Sequence, residues 1–134
     1  MTPKEYSELA LRTANDLGGR LDNIIHAAMG IAGEAGEVID LVKKTYAYEK
    51  TLDDKKLIEE VSDILWYINL LLAIMDRTWE EVFDLNIKKL EARYPDLRFN
   101  ADHAINRDVN AEQRAMLVRA LDNEDSILST RAPL

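Results

Sequence analysis

The sequence predicts an all-α fold: an antiparallel helical bundle of about four main helices, with a short helix in a C-terminal tail. Three observations predict it. Only five glycines and three prolines punctuate the 134 residues. Apolar residues recur at spacings of three and four almost throughout, the period of helices that each bury one face. No apolar–polar alternation bounded by turn residues marks a strand.

The first helix is expected to start at Thr2, with Pro3 in its first position and Glu5 completing a capping box, and to end at Gly18-Gly19. The second runs from about Leu21 to Tyr48, with broad apolar coverage from Ile24 to Val42. A polar connection leads to the third, roughly Asp54 to Asp76, whose core stripe includes Leu57, Ile64, Ile68 and Leu72. Trp66, Leu70, Ala73 and Ile74 make the C-terminal half of that helix apolar on every side. Such a helix needs neighbours all round, so the core is expected to be completed by a homo-oligomer, a dimer or a tetramer. Thr78-Trp79-Glu80-Glu81 is a second capping box, opening a helix that ends before Pro95. Residues 1–98 therefore read as the helical domain, and 99–134 as a polar tail with a short helix near Ala111 to Leu121 and a weakly ordered last dozen residues.

Composition narrows the function classes. Apolar residues make up 47% and charged residues 31%, which is a globular balance. A formal net charge of −8 repels nucleic-acid backbones and anionic membranes, so neither is expected as a partner. The longest apolar run, Ile64 to Met75, falls well short of the roughly 20 residues needed to span a bilayer. With no cysteine, thiolate metal sites and cysteine nucleophiles are excluded. The polar N-terminus reads as no secretion signal, which leaves the cytoplasm as the expected compartment.

Candidate chemistry centres on two pairs of acids. Glu34 and Glu37 stand three apart on one helical face, among Gly30, Gly33 and Gly36. The glycines mean either tight helix–helix packing or close approach of a ligand. Glu60 and Asp63 repeat the spacing in the third helix, with Asp63 at the edge of the segment expected to be buried. Each pair alone also fits a solvated face. If the two helices are antiparallel neighbours, the four acids face one another in an oxygen-only anionic cage suited to Mg²⁺, with Mn²⁺ as a substitute. A di-iron site would need Glu-x-x-His pairs, which are absent; His26 reads as a structural or wall residue. Lys44 lies two turns beyond Glu37, and Asn86, Lys89 and Arg93 form a polar-basic stripe suited to phosphates or simply to solvent. Tyr67, four residues after Asp63, is either a stacking surface for a base or a core residue, and Trp66 reads as core.

These motifs resemble the MazG-like all-α nucleoside triphosphate pyrophosphohydrolases. The resemblance rests on Gly-Glu-Ala-Gly-Glu-Val-Ile-Asp-Leu-Val-Lys-Lys at 33–44, Glu-Glu-Val-Ser-Asp-Ile-Leu-Trp-Tyr at 59–67 and Asn-Ile-Lys-Lys-Leu-Glu-Ala-Arg-Tyr-Pro at 86–95. It implies an enzyme that hydrolyses a nucleoside triphosphate, a dNTP by preference, to the monophosphate and pyrophosphate. By position it implies Glu34, Glu37, Glu60 and Asp63 as metal ligands, with Glu59 as a spare carboxylate that orients or deprotonates water. Lys44, Lys89 and Arg93 would contact phosphates and Asn86 another polar group of the substrate. Many members begin the first motif with two consecutive acids, whereas Gly33 precedes Glu34 here. Three alternatives stand beside this reading: a phosphoribosyl-ATP pyrophosphohydrolase, a nucleotide-binding sensor without turnover, and a non-catalytic helical assembly protein.

Overall fold

A computed structural model describes residues 1–117. The expectations for the last dozen residues, and for the end of a helix at Leu121, lie outside the described residues. The described chain is helical and forms two compact units, Met1–Trp79 and one beginning at Glu80.

In the first unit, helix α1 (Pro3–Ala10) opens as its sequence dictates. Thr2 Oγ1 accepts the Glu5 amide, and the Glu5 carboxylate accepts the Thr2 amide. The helix does not continue to the glycine pair. It tightens into a 3-10 turn at Leu11–Thr13 and becomes extended at Ala14. Two sets of contacts stop it. The Trp66 indole donates to Ala10 O at 3.3 Å and Thr13 Oγ1 at 2.9 Å. Downstream, Asn23 Oδ1 accepts the Leu17 amide, and Asp16 Oδ1 accepts the Gly18 amide and the Asn23 side-chain amide. Side chains that satisfy backbone groups in this way compete with the helix. Gly18, at φ +86°, and Gly19, the N-cap, thus mark the start of α2 (Arg20–Tyr48) rather than the end of α1.

A connection of residues 49–53 separates α2 from α3 (Asp54–Ile74), whose N-cap Asp53 accepts the Lys55 and Lys56 amides. The two helices pack side by side. Gly30 lies against Tyr67, and Glu34 meets Glu60 and Asp63, so the register runs antiparallel as expected. Beyond α3, the Trp79 indole donates to Asn69 Oδ1 at 2.9 Å; Asn69 is almost fully buried. The core is small: among the described residues only Ala27, Leu70 and Leu72 are buried apolar side chains. Ile25, Met29, Ile39 and Val42 of α2, with Leu65 of α3 and its C-cap Met75, remain exposed. The all-round apolar character of α3 is therefore not absorbed within this unit.

Helix α4 (Trp79–Arg93) stops before Pro95, as the sequence predicts. Sequence reading missed α5 (Ala101–Ile105), which Asn100 caps by accepting the Asp102 and His103 amides. Helix α6 occupies 109–117 within the described residues. Glu112 on α6 keeps 2% of its exposure and accepts paired hydrogen bonds from two guanidiniums. Those from Arg93 measure 2.8 and 2.9 Å, and those from Arg107 3.2 and 2.8 Å. No helix among the described residues is long and apolar enough to cross a membrane.

Candidate metal centre

Glu34 on α2 and Glu60 and Asp63 on α3 each offer an oxygen within 4.8 Å of the others. Their convergence follows from chain geometry. Residues three apart share a helical face, and the antiparallel register turns the two acidic faces toward each other. The burial order differs from expectation. Asp63 is exposed, and Glu60 is the buried acid, at 8% exposure. Burial, followed by the charges of Glu37, Glu34 and Glu59, pushes the Glu60 carboxyl up, with Lys56 opposing weakly. Glu37 is exposed and lies outside the three-residue group, although its charge acts on Glu60.

The ion pairs of the described residues leave Glu34, Glu60 and Asp63 without a basic partner. Three converging carboxylates, one of them desolvated and uncompensated, form a donor set that fits a hard divalent cation. Beside them opens a cleft of about 340 Å³ lined by Glu34, Asp63, Trp66 and Tyr67. Tyr67 stands edge-on to Trp66 and to His26, with ring centroids 4.9 and 5.7 Å apart. His26 Nδ1 is buried without a hydrogen-bond partner. Tyr67 packs on α2 against Gly30 and lines the cleft. Trp66 is not only core, because it anchors the end of α1 and lines the same cleft.

Other expected site residues are placed as follows. Glu59 is exposed on α3 and its charge reaches Glu60. Lys44 forms an ion pair with Asp40, one turn earlier on α2, and that bond raises its pKa. Asn86 is exposed and Lys89 half-buried on α4. Arg93 is held by Glu112 and passes over the Tyr94 ring, 5.8 Å from its centroid. Sequence reasoning missed Tyr6 on α1, whose hydroxyl is pushed up by burial and by Asp63. It also missed Glu112, which looks in sequence like an ordinary acid in a helix first turn.

The Glu112 cluster makes a pH prediction. Hydrogen bonds from Arg93 and Arg107 hold its carboxyl well below the usual glutamate range. A depressed carboxyl stabilises the fold above its unfolded value, near 4.5, and loses that contribution as pH falls toward the folded value. Glu112→Gln is expected to lower the thermal midpoint by about 5 °C at neutral pH. Thermal scans should show the gap from wild type intact above the unfolded value and closing only in strong acid.

The family model for the MazG nucleotide pyrophosphohydrolase domain matches residues 25–98, which include both acidic pairs. The chain is also similar to the Gene 37 protein of Mycobacterium phage L5, 30% identical over 79 residues, covering 54% of this chain and 68% of the phage protein. No solved structure matches.

Proposed function

The chain belongs to the MazG nucleotide pyrophosphohydrolase family, and from that premise we propose that it is an Mg²⁺-dependent enzyme hydrolysing a deoxynucleoside triphosphate to the monophosphate and pyrophosphate. The observation that carries this reading is the convergence of Glu34, Glu60 and Asp63 at the edge of an aromatic-walled cleft. Glu37 joins them as the fourth ligand by a side-chain rotation from its exposed position on the same face. When bound, the ion neutralises phosphate oxygens and acidifies water. Glu59 takes the proton of the attacking water, whose oxygen bonds to the α-phosphorus while the bond to the bridging oxygen of pyrophosphate breaks. Lys44, released from Asp40, and Lys89 and Arg93 supply positive charge to the phosphates. Asn86 makes a polar contact to the substrate and Tyr67 packs against its base.

The same reading makes the protein a cytoplasmic homo-oligomer, a dimer or tetramer. Exposed Ile25, Met29, Ala32, Gly36 and Ile39 follow one another at spacings of four, three, four and three along α2. That is the seam of a helix that packs on another helix. A Cβ at Gly36 would meet nothing within 4 Å, so this point of the seam is open to close approach.

Pyrophosphate release from a panel of dNTPs, NTPs and phosphoribosyl-ATP, with and without Mg²⁺, tests the reading. The expected result is metal-dependent release from dNTPs that Glu37→Gln abolishes. A folded, metal-supplied protein that releases none from any nucleotide would overturn it.

A further inference from the structure

Gly30 differs from the other glycines of α2. A Cβ at Gly33 would meet nothing within 4 Å, whereas one at Gly30 would lie 2.5 Å from Tyr67 Cγ and closer still to Cδ1 and Cε1. The body of the ring, not the tip of a flexible chain, fills the space. The ring is also hemmed in. His26 meets it edge-on from one turn earlier in α2, and Trp66 meets it at 90°. Trp66 is fixed in turn by its hydrogen bonds to Ala10 and Thr13. A methyl group at position 30 would therefore displace Tyr67 from the cleft that it lines with Glu34 and Asp63.

We propose that Gly30 is a positioning residue whose missing side chain seats Tyr67 flat on α2, as the wall on which the nucleoside part of the substrate packs. The proposal rests on the reading that the substrate is a nucleotide. Gly30 then sets nucleotide affinity and leaves metal affinity alone, because it bears no donor and acts only through the ring. In a helix interior, alanine ordinarily stabilises relative to glycine. The seat reverses that sign here.

Wild type, Gly30→Ala, Tyr67→Ala and the double variant form the test. Gly30→Ala should lower the thermal midpoint by about 5 °C when Tyr67 is present and raise it in the Tyr67→Ala background. With the deoxynucleoside triphosphate that the wild type turns over best, Gly30→Ala should raise KM about tenfold with kcat little changed. The double variant should be no worse than Tyr67→Ala. Mn²⁺ affinity, measured without nucleotide by electron paramagnetic resonance, should be unchanged. A higher midpoint for Gly30→Ala beside Tyr67, an unchanged KM, or an equal loss of Mn²⁺ affinity would each overturn the proposal. A wild type without turnover on any triphosphate would bring down the nucleotide reading and the substrate part of the proposal with it, while the thermal cycle still decides the seat.

Discussion

Glu60→Gln will abolish metal-dependent pyrophosphate release and at the same time raise the thermal midpoint of the metal-free protein. The two effects have one cause. Glu60 is the buried member of the acidic group, and burial together with Glu37, Glu34 and Glu59 disfavours its charge. A carboxyl whose folded pKa is raised costs stability wherever it is ionised, and the cost disappears as pH falls below the folded value. Glutamine fills nearly the same volume without the charge, so the metal-free fold gains what the ionised acid cost. Binding of a divalent cation requires that charge. Losing one anionic ligand from a site that acts by charge neutralisation should lower kcat/KM by about a thousandfold or more. Thermal scans with and without Mg²⁺ should show the metal-induced rise in wild type and none in the variant. Activity within threefold of wild type would remove Glu60 from the ligand set.

The second large effect is expected at Ile39, where a charge should break the proposed oligomer and destabilise the chain. Ile39 is 66% exposed, and Met29, further along the same stripe, is 69% exposed. At about 100° per residue, Ile39 points roughly 200° away from Glu37, so Ile39→Glu leaves the acidic face intact. The buried apolar side chains among the described residues, Ala27, Leu70 and Leu72, are too few to hold long helices together without further burial. Ile39→Glu should elute as a monomer in size-exclusion chromatography with light scattering, with a thermal midpoint lowered by roughly 10 °C or more. In a chain that works as a monomer the same change is an ordinary surface substitution, within about 0.5 kcal/mol of neutral. An unchanged elution volume and midpoint would therefore count against the assembly.

Legibility in the sequence followed the range of the interactions. The α1 cap, the extents of α2 and α3 and the shared helical face within each acidic pair depend on residues three or four apart, and spacing alone exposes these. The end of α1 does not, because it is decided by Trp66, more than fifty residues away, and by the Asp16–Asn23 contacts. The clamp on Arg93 likewise needs Arg107 and Glu112, which no local pattern links to α4. The Lys44–Asp40 pair has ordinary one-turn spacing and was legible. Glu60 rather than Asp63 is the buried acid, because helical spacing fixes which residues share a face but not how deep each lies.

Every acid of the proposed ligand set lies between residues 34 and 63, on two helices joined by only five residues. Closing so short a connection costs little chain entropy, and contacts this local form early. During synthesis, a chain that has emerged as far as the end of α3 already carries the complete set, before α4 has been released. Under the proposed function, a divalent cation held by these acids would staple the nascent hairpin, so that ion supply would influence how much of the protein matures as well as how fast the mature protein works.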